Sequence, residues 1–249
     1  MLRSPKTQNN VILLKSTNMQ PTLLLFDIDG TLLTGRGLSR RVFKEIILRR
    51  FPHFKKGFDL RYSGMTDPQI VETFLEMNHY RHEERTKQTA SILDEFVDKL
   101  CAEIERGALP ILLPGIQLLI NYCLNREDCY LGLVTGNMVQ SAQAKLRAVH
   151  LYEAFPLGAF GSDSKHRSDL PPLAIARARK YYQRHFEPNR IWIIGDSIHD
   201  VRCAHATRIR SLAVASGVTD LAELQKEKPD YAVENLQDFK IIIKWLNID

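Results

Sequence analysis

The stretch LLLFDIDGTLL, Leu23 to Leu33, sets two acids, Asp27 and Asp29, directly behind a run of pure hydrocarbon. A short apolar run closed by a turn residue reads as a buried strand. Carboxylates at its end need a reason, because a buried, unpaired charge costs several kcal/mol. An Asp capping a following helix, with Gly30 permitting the turn, accounts for one of them. The second acid is left over, and the rest of the chain explains it.

Further apolar runs of strand length lie at Tyr130–Val134, Leu157–Phe160, Ile191–Gly195, Ser211–Ala215 and Tyr231–Val233. Helical patterns lie between most of them. Ile116–Leu124 is entered through Pro114-Gly115, and Leu173–Phe186 places Leu173, Ala176, Ala178, Tyr181 and Tyr182 near one side. Strands alternating with helices predict an α/β fold, a doubly wound, Rossmann-like parallel sheet covered on both faces. Residues 19–33 and 112–249 form this core. The stretch 34–111 has no convincing strand but carries apolar stripes, Leu38-Val42-Phe43-Ile46-Ile47-Phe51 and Ile92-Phe96-Leu100-Ile104. It reads as an inserted helical cap. Ligands of open α/β sheets bind beyond the carboxyl ends of the strands, so an insert leaving the first strand there sits over the site as a lid.

The 249 residues suit one large α/β domain with a smaller insert, and 44% hydrophobic with 25% charged residues is ordinary globular composition. The net charge of +5 is mild. The basic group Arg49, Arg50, Lys55 and Lys56 has no aromatic–basic motif beside it, so no nucleic-acid partner is expected. Cys101, Cys123, Cys129 and Cys203 show no metal-binding or disulfide spacing, which suits a reduced, cytoplasmic setting. No apolar run reaches the roughly 18 to 20 residues of a membrane span. Residues 1–18 read as a loose polar extension whose short apolar patch, Val11–Leu14, is no signal peptide, and Met19 is a candidate start of the natural chain.

Four polar stretches sit at or just beyond predicted strand ends: FDIDGT (26–31), VTGN (134–137), SDSKHR (162–167) and GDSIHD (195–200). A parallel sheet gathers them on one edge. Asp27, Asp29, Asp196 and Asp200 brought close there repel one another unless a cation intervenes. Carboxylate oxygens without His or thiolate partners suit Mg²⁺, which also binds substrate phosphate. Thr135 offers a hydroxyl, Gly136 a backbone N–H, and Lys165 or Arg167 a positive charge, a set suited to phosphoryl transfer.

These motifs resemble those of the haloacid dehalogenase-like hydrolases, of the type with a helical cap after the first motif. The D-x-D-G-T, strand-T-G and G-D-S-x-x-D elements stand at Asp27–Thr31, Thr135–Gly136 and Gly195–Asp200 in the family order, and Gly64–Pro68 (GMTDP) is similar to the cap of phosphoglycolate phosphatase-like members. The resemblance implies Asp27 as nucleophile and metal ligand. It implies Asp29 as general acid/base, its backbone carbonyl facing the metal, with Asp196 as a further ligand and Asp200 as a supporting carboxylate. The implied activity is Mg²⁺-dependent hydrolysis of a small phosphorylated metabolite through an aspartyl-phosphate. Dehalogenating members lack an acid at the place of Asp29; a phosphomutase shares both acids, and an inactive phosphate-binding module is the third reading. In the cap, Arg36, Arg61, Thr66 and Asp67 are the polar candidates facing the site.

The departure lies in the third motif, where many members carry Lys-Pro-x-Pro and this chain reads Arg167-Ser168-Asp169-Leu170-Pro171-Pro172. Counted back from the helix expected near Leu173, Arg167 takes the slot of the phosphate-holding cation, and Lys165 falls two residues early. A guanidinium offers phosphate a bidentate fork and keeps its charge. Arg167→Ala is therefore expected to cripple turnover and Arg167→Lys to recover it in part, with Lys165→Ala near wild type. The reverse order of the two alanine variants assigns the role to Lys165.

Overall fold

The computed structural model describes residues 20–249. The extension expected at 1–18 and the candidate start at Met19 lie outside them. Six strands form one parallel sheet: β1 (Thr22–Phe26), β4 (Cys129–Val134), β5 (Gly158–Ala159), β6 (Ile191–Gly195), β7 (Arg210–Val214) and β8 (Tyr231–Val233), in the order β5-β4-β1-β6-β7-β8. A separate antiparallel pair, β2 (Leu33–Thr34) and β3 (Ile111–Leu112), aligns Leu33 with Leu112 and Thr34 with Ile111.

Burial explains why β1 is hydrocarbon throughout. It lies between β4 and β6, and its side chains alternate between two cores. Leu24 and Phe26 join the core with α4 (Ile116–Leu124), while Leu23 and Leu25 join the one with α6 (Leu170–Tyr182). The helices α5 (Val139–Ala148), α7 (Ile198–Thr207), α8 (Leu221–Lys226) and α9 (Phe239–Trp245) complete the alternation. The sheet is thus α/β, doubly wound and Rossmann-like. After β4 and β5 build one flank of β1, the chain crosses to build the other with β6. The crevice at this switch point is where open α/β sheets bind ligands.

α6 begins three residues earlier than the Leu173 start read from the sequence. Pro171 and Pro172 occupy its first turn, where a missing N–H and a fixed φ are tolerated. It ends at Tyr182 rather than Phe186, because Gln183 turns into the left-handed region at φ 51°.

Between β2 and β3 run α1 (Leu38–Arg50), α2 (Asp67–Met77) and α3 (Arg85–Glu105). Both apolar stripes read from the sequence are buried, and Val71, Phe74 and Leu75 of α2 close the same cluster. Phe74 is its centre, meeting Phe43 at 5.4 Å and Phe58 at 4.8 Å edge-to-face. The short β2–β3 ladder where the unit joins the sheet is the strand content that the sequence reading of 34–111 overlooked; two residues per strand leave no periodicity to find. No helix of the described residues is long and apolar enough to cross a membrane. Truncating fully buried Phe74 to Ala removes this packing and is expected to cost about 3–5 kcal/mol, read as a lower denaturant midpoint.

Candidate active site

The four polar stretches follow β1, β4, β5 and β6, so the parallel sheet delivers them to one edge. Carboxylate oxygens of Asp27, Asp196 and Asp200 lie within 4.8 Å of one another, all three residues buried. Burial pushes the Asp27 carboxyl up to about 6, with Arg167 pulling it down and Asp200 pushing it up. Asp196 is driven well above the usual carboxylate range by burial and then by the charges of Asp27 and Asp200.

Arg167, in the loop after β5, is the cation inside this group. Its Nη2 lies 3.3 Å from Asp27 Oδ1 and 2.5 Å from Asp200 Oδ1. Its buried Nε–H has no hydrogen-bond partner among the described residues. Asp200 accepts with its other oxygen from the Ser197 backbone N–H (3.1 Å) and hydroxyl (2.7 Å), completing a capping box that starts α7. One carboxylate thus fixes both a helix start and the Arg167 side chain. Lys165 points elsewhere: its Nζ meets Glu72 of α2 at 2.8 Å.

Gly30 has φ +83°, and a Cβ there would lie 2.4 Å from Asp196 Oδ2. The glycine behind the two acids is thereby explained, since the turn passes where a side chain has no room. Thr31 adds its hydroxyl to Asp196 Oδ1 at 3.4 Å.

Asp29 lives in a different environment. Its side chain is 42% exposed, and Oδ2 accepts from Lys145 Nζ at 2.6 Å and from Asn137 Nδ2 at 2.8 Å. Lys145 is only 3% exposed and also donates to Asn137 Oδ1 at 2.6 Å. Asn137 Nδ2 further donates to the hydroxyl of buried Thr135 at 2.8 Å. Lys145 was missed in the sequence. Its signal was register: Ser141, Ala142, Lys145 and Leu146 are the buried face of α5, so a lysine occupies the apolar stripe directly behind VTGN.

The loop of the helical unit that reads GMTDP closes on the same edge. A Cβ on Gly136 would come 2.2 Å from Met65 O, and Gly136 O accepts from the Asp67 N–H at 2.8 Å. Asp67 Oδ2 accepts from the Met138 N–H at 2.8 Å, and burial pushes its carboxyl up to about 6 while Lys145 draws it down. Thr66 caps α2 and donates to Lys165 O at 2.7 Å. Arg61 reaches Glu223 of α8 at 3.2 Å. Arg36 is exposed, and its backbone N–H donates to the Thr34 hydroxyl.

A cavity of about 610 Å³ opens from the acids into the helical unit, with Asp27, Asp29, Thr135, Lys145, Arg167 and Asp196 at one end. The donors fit a hard divalent cation. Asp27, Asp196 and Asp200 are oxygen ligands only, and a cation among them offsets the mutual repulsion that raises Asp27 and Asp196.

A family model described as haloacid dehalogenase-like hydrolase matches residues 21–206. A pyrophosphatase, PpaX of Listeria welshimeri, is 26% identical over 225 residues, covering 90% of this chain and 96% of that protein. The fold is similar to that of a hydrolase from Pseudomonas syringae, with a TM-score of 0.67 at 19% identity over 90% of this chain and 98% of the other. It is also similar to a predicted phosphoglycolate phosphatase from Haemophilus somnus, with a TM-score of 0.67 at 18% identity over 90% and 99%.

The Lys145–Asp29 pair makes a measurable claim. Lys145→Met keeps the length of the stem and removes the charge. It is expected to lower kcat roughly 10- to 100-fold, as loss of a supporting partner does, with KM little changed. An effect confined to KM would instead assign Lys145 to substrate binding.

Proposed function

The chain belongs to the haloacid dehalogenase-like hydrolases; from this premise we propose that it is a Mg²⁺-dependent phosphatase that hydrolyses a small phosphorylated metabolite through an aspartyl-phosphate. The observation that carries the reading is the Asp27–Asp196–Asp200 cluster at the sheet edge, threaded by Arg167, with Asp29 at the mouth of the cavity.

In this reading an Asp27 oxygen attacks phosphorus and the bond to the leaving oxygen breaks. Asp29 gives that oxygen its proton, then takes one from the water that attacks the phosphoryl group. The Asp27–phosphorus bond breaks in turn, releasing inorganic phosphate and restoring the carboxylate. Thr135, the Gly136 N–H and Arg167 hold the phosphoryl oxygens. Asp27, Asp196 and the backbone carbonyl of Asp29 would hold Mg²⁺, which supplies charge neutralisation at the phosphoryl group. Asp200 keeps Arg167 in place. Residues 34–111 act as the lid, with their hinge at the β2–β3 ladder, and exclude water when closed.

Two measurements test this. Exhaustive chelation with EDTA is expected to stop phosphate release and added Mg²⁺ to restore it; full activity after chelation sinks the metal requirement. Asp27→Asn is expected to abolish turnover in a folded protein, and Asp29→Asn to lose roughly 10²–10⁴-fold. A loss of only a few-fold in the Asp27 variant would mean that another group attacks.

A further inference from the structure

We propose that the substrate's leaving group is an uncharged apolar alcohol, aromatic or branched, rather than a second anion. The proposal rests on the phosphatase reading and deepens it. With phosphate at the acids, the leaving group can extend into the remainder of the 610 Å³ cavity. A cavity of this size suits a drug-sized ligand, and pyrophosphate would leave most of it to water.

The walls decide the chemistry. Phe43 of α1, Ile70 and Val71 of α2, and Leu93 and Phe96 of α3 line the cavity inside the helical unit. Four of these five belong to the buried apolar cluster of that unit, so this wall of the cavity is backed by hydrocarbon. An apolar group laid against such a wall is removed from water, which favours an apolar guest.

Three cations of the lining are already paired with acids. Arg167 pairs with Asp27 and Asp200, and Lys145 with Asp29. Arg61 pairs with Glu223. Arg40 donates to Phe58 O at 2.6 Å and sits 5.4 Å over the Tyr62 ring. A second phosphate or a carboxylate extending beside Phe43, Ile70 and Phe96 would meet hydrocarbon, a costly placement for an unpaired ion. The 26%-identical relative is a pyrophosphatase by name. The lining of this chain's cavity argues for a different leaving group.

The test uses the whole chain with Mg²⁺ and compares kcat/KM for ethyl, butyl and benzyl phosphate, inorganic pyrophosphate, 2-phosphoglycolate and acetyl phosphate. Each buried methylene is expected to raise kcat/KM roughly three- to fourfold, with benzyl phosphate ahead of pyrophosphate and 2-phosphoglycolate, whose leaving groups are anionic. Ile70→Thr, which sets a hydroxyl in the half-buried part of the wall, is expected to lower kcat/KM for benzyl phosphate more than for ethyl phosphate, and an equal loss on both counts against the proposal. Calorimetric affinities of methyl- and benzylphosphonate for wild type and Asp27→Asn give the same ranking without turnover. Mg²⁺-dependent release that is flat across the esters, or fastest on pyrophosphate or phosphoglycolate, overturns the leaving-group proposal and leaves the phosphatase standing. No release from any compound overturns the phosphatase reading, and the phosphonate series then decides the apolar proposal alone: equal affinities reject it.

Discussion

Arg167 bridges Asp27 and Asp200, and this ion pair is what lets three carboxylates share a buried space with oxygens within 4.8 Å of one another. Burial pushes Asp27 and Asp196 toward their neutral forms, and the neighbouring acids push them the same way. A guanidinium between two of them opposes both effects at once. Its own position is set by Asp200, whose second oxygen is fixed by the capping box of α7. The start of a helix, the orientation of a cation and the ionisation of the first acid are therefore one linked arrangement. A change at any member is felt at the other two.

The sheet edge was legible in the sequence because its signals are local. A hydrocarbon run followed by acids, repeated as VTGN and GDSIHD, needs only the rule that parallel strands end on one side. All six strands were visible as short apolar runs, and the two stripes of α1 and α3 are buried as their spacing required. The third stripe, Val71-Phe74-Leu75, is short and went unremarked, although it closes the same cluster. The ends of α4 fall where the sequence put them, at Ile116 and Leu124, but those of α6 do not. Prolines at the start of α6 look like a barrier in sequence, yet a first turn accepts them, and the left-handed residue that stops the helix is a glutamine.

What stayed hidden depended on the third dimension. Lys145 lies 116 positions from Asp29, and no local pattern announces their pairing. The close approach of Gly136 to Met65 is equally non-local, since it joins the loop after β4 to the loop before α2. Lys165 was separable from Arg167 only by counting positions; space separates them by partners, Glu72 for one and two buried carboxylates for the other.

In the opening pair of acids, one residue of spacing divides two environments, and the proposed reaction uses the difference. Asp27 continues the strand direction into the interior, donates its N–H to Ile194 O, and has its carboxylate held among acids by Arg167. Asp29 lies beyond the point where burial ends, and its side chain is 42% exposed at the cavity and held by Lys145. A buried, anchored carboxylate suits attack on a fixed phosphorus, because its direction is constrained on every side. A carboxylate at the mouth suits proton exchange with a leaving group and then with water, because both must reach it. Gly30 then removes the chain from the space that Asp196 occupies. The order Asp, spacer, Asp, Gly is thus a sequence of depths: anchored acid, accessible acid, and a backbone that clears the way for the third.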